Sequence, residues 1–171
     1  MKKYILFDLD GTLTDPMEGI CKSAARGLAH FGIKADYHDL TFFIGPPLLD
    51  TYRDRYGMND EQAREAVAAF REYFQPTGIY ENEIYPGIEE MLKELQDKGY
   101  FLAMATSKPE AFADIVLRHF HIRDYIKVMA GATMDEGRTN NAEVLAYALE
   151  QMNISDLSEA VMVGDRSYDV K

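Results

Sequence analysis

The chain has 171 residues, 47% of them hydrophobic, enough for one sizeable core with a small appended lobe. Its 29 acidic residues outnumber 18 Lys and Arg, and the net charge of -11 argues against a polyanion-binding surface such as a nucleic-acid cleft. The single cysteine, Cys21, cannot form an intrachain disulfide, and no stretch approaches the ~18 apolar residues of a membrane span. A reducing, cytoplasmic location is the expectation.

The first element is a short apolar run, Tyr4–Phe7, that ends in Asp8, Leu9, Asp10 and a Gly11-Thr12 turn. Residues 16–82 then carry helical spacing only. Ile20, Ala24, Leu28 and Phe31 make one stripe, Pro46 opens a second helix closed by Gly57, and Ala63, Val67, Phe70 and Phe74 make a third stripe. A plain crossover needs one helix, and the spacing here predicts about four, so 16–82 reads as an inserted helical lobe. The core is then 1–15 with 83–171. Helix 88–98 follows Pro86, and apolar runs at 100–105, 125–130 and 160–163 read as further strands. Helical patterns separate them, with Ser107 a candidate N-cap for the helix after the second strand and Asn140–Glu143 a candidate capping box for the next. Strands apolar on both faces, alternating with helices, predict an α/β fold with a doubly wound parallel sheet.

In such sheets ligands sit beyond the carboxyl ends of the strands. The first strand is followed by Asp8 and Asp10, the second by Thr106, Ser107 and Lys108, the fourth by Asp165 and Asp169. Each acid alone reads as a cap or turn former. Matched groups at the same end of three strands do not. Four carboxylates on one rim repel, and a hard divalent cation with oxygen ligands resolves this; Mg²⁺ suits a few carboxylates plus phosphate oxygens.

FDLDGTLTD resembles motif I of the haloacid dehalogenase-like (HAD) hydrolase superfamily, GDRSYDV its motif IV, and MATSK its motif II. The helical lobe matches the type 1 cap of that superfamily in place and size. FIGPPL, YPGI and VGDRSYDV are similar to stretches of its phosphoglycolate phosphatase and 5′-nucleotidase-like branch. The resemblance implies a Rossmann-like core and a Mg²⁺-dependent phosphatase acting on a small phosphorylated metabolite, a monomer or weak homodimer without nucleic-acid or membrane partners. It implies Asp8 as nucleophile and Asp10 as general acid and base. Thr106, Ser107 and Lys108 would bind the phosphoryl group, with N–H groups of the following helix start assisting. Asp8, Asp10, Asp165 and Asp169 would serve the metal, and Gly45, in the Gly45-Pro46-Pro47 stretch of the cap, would face substrate. A phosphosugar mutase using the same intermediate is a weaker expectation.

Two features depart from the pattern. Asn141 stands where the branch places a lysine that pairs with nucleophile and phosphate, with Arg138 or Lys108 as candidate replacements. A unit charge at about 4 Å in an effective dielectric near 20 is worth roughly 4 kcal/mol, about a thousandfold in rate. The second is the ending at Lys171, directly after motif IV, where relatives continue with a helix and a strand. This predicts an exposed apolar edge on the fourth strand and a truncated or shortened chain. The alternative function is accordingly an impaired relative that binds a phosphate ligand or a partner without turnover.

Overall fold

The computed structural model describes residues 3–134, 137, 138, 140–154 and 156–166. The chain divides into two compact units, Met1–Asp15 with Ile84–Lys171 and Pro16–Glu83. The first unit holds a four-stranded parallel sheet built from β1 (Tyr4–Phe7), β4 (Phe101–Pro109), β5 (Val128–Ala132) and β6 (Ala160–Val163), in the order β5-β4-β1-β6. Two short strands, β2 (Thr14–Asp15) and β3 (Glu83–Ile84), mark where the chain leaves and rejoins this unit.

Period-two alternation puts Leu6 of β1 and Ala103 and Ala105 of β4 on one face. With Ala130 of β5 they form a core with Val144, Ala148 and Met152, the buried stripe of α6 (Asn141–Gln151) and its C-cap. Small alanines on the strands let the helix sit close, and larger residues on the helix fill the gap. The alternate residues Ile5, Phe7, Leu102 and Met104 are also buried, and α4 (Ile88–Asp97) and α5 (Glu110–His119) pack against β4. Both faces of β1 and β4 are therefore covered, as their unbroken apolar runs require. Chain order places the first crossover on one side of β1 and β6 on the other. The sheet thus has a switch point at β1, where open α/β sheets carry their ligands.

The second unit packs α1 (Met17–His30), α2 (Leu48–Tyr56) and α3 (Asp60–Phe74) together, with 3₁₀ turns at Tyr37–Asp39, Thr41–Phe43 and Gly78–Tyr80. Tyr52 is fully buried and donates its hydroxyl to the Ala24 carbonyl (3.2 Å). The α3 start carries a capping box between Asn59 and Gln62. Three α-helices and three single turns thus replace the four helices expected.

Two strand boundaries differ from expectation. The strand placed at 125–130 runs over Val128–Ala132, because Tyr125 belongs to a 3₁₀ turn in which its N–H donates to Ile122 (3.3 Å). The strand placed at 100–105 continues to Pro109, where pairing resumes opposite Ala132. The Ala160–Val163 strand lies at the edge of the described sheet, with Val161 and Val163 exposed.

Candidate active site

The rim begins where β1 ends. Asp8 extends the ladder to β6, its N–H donating to the Val163 carbonyl (2.9 Å), and its residue surface is only 7% exposed. Leu9 then drives its side chain into the core. Its carbonyl accepts the N–H groups of Thr12, Leu13 and Thr14 at 3.1, 2.9 and 3.2 Å, which closes a tight turn. Gly11 sits in that turn at φ 86°, a left-handed conformation glycine adopts without a Cβ penalty. A Cβ there would also lie 2.6 Å from Asp165 Oδ2. The Asp165 carboxylate, two residues past β6, therefore rests directly on the turn that presents Asp10.

The third contributor is the end of β4. Between Ala105 and Pro109 the β4–β5 register shifts: Ala105 pairs Ala130, and Pro109 pairs Ala132. Four steps along β4 match two along β5, so the chain bulges at Thr106, Ser107 and Lys108. Bulges of this kind re-aim side chains beside active sites. Pro109 keeps Lys108 extended, and the Lys108 N–H donates to Thr106 Oγ1 (3.3 Å). Lys108 Nζ reaches Asp10 Oδ2 at 2.7 Å, with the two side chains 4% and 11% exposed. The lysine is thus a buried partner of the second acid rather than a solvated loop residue.

This bulge needs space on β5. A Cβ on Gly131 would stand 2.7 Å from Glu110 Cα and 2.8 Å from the Lys108 carbonyl oxygen. Gly131→Ala is expected to destabilise the protein by about 1–3 kcal/mol, the usual cost of overpacking, as measured by denaturant unfolding. Unchanged stability would contradict this close approach.

Arg138, the other cation considered for the missing lysine, is held elsewhere. It donates to Glu110 (2.9 Å) and to the Gly131 carbonyl (2.7 Å), and its guanidinium lies 3.8 Å from the Tyr147 ring centroid. Asn141 opens α6 directly after Asn140, whose side chain accepts from the Glu143 N–H in the anticipated capping box. Tyr85 joins the acids from the returning chain. Burial first, then the negative field of Asp15, Asp165 and Asp10, holds its phenol above the usual tyrosine range.

The structure therefore brings Asp8, Asp10, Thr106, Lys108 and Asp165 to the carboxyl ends of three neighbouring strands. Ser107 is half-buried within β4 and does not cap α5. That helix starts after Pro109 with no side-chain cap. Gly45 belongs to the helical unit, at φ 101°. Asp169 lies outside the described residues. Sequence reading did not single out Tyr85, and it missed the bulge, although Pro109 was its signal: a residue before proline favours extended backbone.

Among the described residues no group of three His, Cys, Asp or Glu side chains is gathered to hold a metal. A dedicated cage is not what Mg²⁺ requires, since one or two carboxylates plus substrate oxygens and water suffice. Asp8 and Asp165 supply hard oxygen donors from adjacent strand ends. The donor chemistry fits that ion.

A family model described as haloacid dehalogenase-like hydrolase matches residues 5–171, and the chain belongs to this family. It is similar to a 5′-nucleotidase of Pseudomonas aeruginosa, 43% identical over 97% of this chain and 75% of that protein. It is also similar to the tyrosine-protein kinase PtkA of Mycobacterium tuberculosis, 44% identical over 98% of this chain but only 57% of the kinase. A crystal structure of a predicted phosphatase from Clostridium acetobutylicum superposes with a TM-score of 0.94 at 42% identity, covering 99% of this chain and 79% of that one.

Proposed function

We propose that the chain is a Mg²⁺-dependent phosphatase that hydrolyses a small phosphomonoester, of the nucleoside 5′-monophosphate or phosphoglycolate class, through an aspartyl-phosphate on Asp8. The observation that carries this reading is the buried Asp10–Lys108 pair set beside Asp8 at the sheet's switch point. A phosphomonoester needs a nucleophile and a proton donor; Asp8 and Asp10 are read in these roles, with Lys108 paired to the second.

An Asp8 carboxylate oxygen attacks phosphorus, and the ester P–O bond breaks as Asp10 gives a proton to the leaving oxygen. Water then attacks the same phosphorus, the P–O bond to Asp8 breaks, Asp10 takes a proton from that water, and inorganic phosphate leaves with Asp8 regenerated. Thr106 offers its hydroxyl to a phosphoryl oxygen. Asp8, Asp165 and the Asp10 carbonyl would hold Mg²⁺, with Asp169 as a further ligand, and the ion supplies charge neutralisation at the phosphoryl group when bound. The helical unit is read as the family's cap, the part that selects substrate, with Gly45 among its substrate-binding residues. The name of the Pseudomonas relative favours nucleotides over phosphoglycolate. A panel of phosphorylated metabolites with Mg²⁺ tests this: nucleoside 5′-monophosphates should head the ranking. Transfer of phosphate to a tyrosine peptide rather than to water would move the reading toward the kinase-named relative.

A second reading, a relative that binds phosphate without turnover, rests on Asn141. Asn141→Lys is expected to raise kcat/KM about tenfold, a third of what a full charge at 4 Å is worth. A cation in the first turn opposes the helix dipole, so stability should fall by roughly 0.3–1 kcal/mol. Unchanged rates would remove position 141 from the site.

A further inference from the structure

We propose, resting on the phosphatase reading above, that Lys108 is a positioning residue. Its ammonium holds Asp10 through Oδ2, leaving Oδ1 to carry the proton that passes to the leaving group and is regained from the hydrolytic water. The two residues stand 98 positions apart in sequence, and the Lys108 Nζ to Asp10 Oδ2 distance is 2.7 Å. Asp10 Oδ1 is buried and has no hydrogen-bond partner among the described residues. Buried polar atoms without a partner are costly, so each needs a reason, and a catalytic role is one.

Lysine ordinarily carries a mobile, hydrated head on a flexible stem. Here its backbone is fixed three times over. Pro109 keeps it extended, its N–H donates to Thr106 Oγ1, and its carbonyl lies against Gly131 so closely that a Cβ there would be 2.8 Å away. The side chain is itself 4% exposed. A cation so constrained sets the direction of the acid it binds. The alternative is that Lys108 holds the substrate phosphate directly, as the motif reading implies.

Leaving-group dependence separates the two. An alkoxide needs Asp10's proton to depart, whereas p-nitrophenolate does not. Lys108→Met is expected to lower kcat/KM on a nucleoside 5′-monophosphate by about 100-fold, the scale of general-acid catalysis, and on p-nitrophenyl phosphate by less than about threefold. The inhibition constant of inorganic phosphate should stay within about threefold of wild type. Equal losses on both esters, or phosphate inhibition weakened about tenfold, would overturn the assignment. If Lys108→Met does not fold, Asp10→Asn is compared with Asp10→Asn/Lys108→Met, in which neither charge is left buried alone. No further loss on p-nitrophenyl phosphate in the double variant supports action through Asp10, and a further tenfold loss overturns it. Wild-type protein without turnover on either ester would overturn the phosphatase reading, and this assignment with it.

Discussion

Asp8→Asn is expected to lower turnover of phosphomonoesters by on the order of 10⁶-fold, the scale on which loss of a covalent nucleophile acts. The amide matches the carboxylate in shape, and the backbone bond from Asp8 to Val163 is independent of the side chain. Asp10 and Asp165 also face the same rim, so removing one negative charge relieves repulsion. The variant should therefore fold with a melting temperature equal to or above that of wild type. Steady-state assays with an aryl phosphate and Mg²⁺, alongside thermal melts, check both halves. A folded variant retaining activity within about tenfold of wild type would remove Asp8 from the nucleophile role.

Asp165→Asn should have the next largest effect, about a thousandfold in rate, from losing a charge worth roughly 4 kcal/mol at contact distance. Its second signature is independent of activity. Mg²⁺ at about 100 times its dissociation constant should stabilise the wild-type protein by ~2.7 kcal/mol, and Asp165→Asn should lose most of that response. A variant that keeps the full Mg²⁺-dependent shift would place the metal elsewhere.

The sheet was legible in the sequence because its strands are apolar on both faces and punctuated by helices. The α6 cap was legible because Asn140 and Glu143 stand at capping-box spacing. Boundaries were lost where tertiary pairing overrode local pattern. Tyr125 looks like a strand residue but is taken by a 3₁₀ turn, and β4 runs four residues further because β5 offers Ala132 as a late partner. At the site, residue identity was readable from the motifs, while residue roles depended on geometry. Lys108 is one residue in a run of polar side chains until the bulge buries it against Asp10. Arg138 is equally basic in sequence, yet Glu110, Gly131 and Tyr147 hold it. No local pattern encodes which of the two cations turns toward the acids, because the partners lie on other elements of the chain.

The covalent intermediate is the most direct test of the central claim. Rapid acid quench of the protein turning over a nucleoside 5′-monophosphate with Mg²⁺, followed by peptide mass spectrometry, should find a phosphoryl group on Asp8. Turnover with no adduct at Asp8, or with the adduct on another residue, would contradict it.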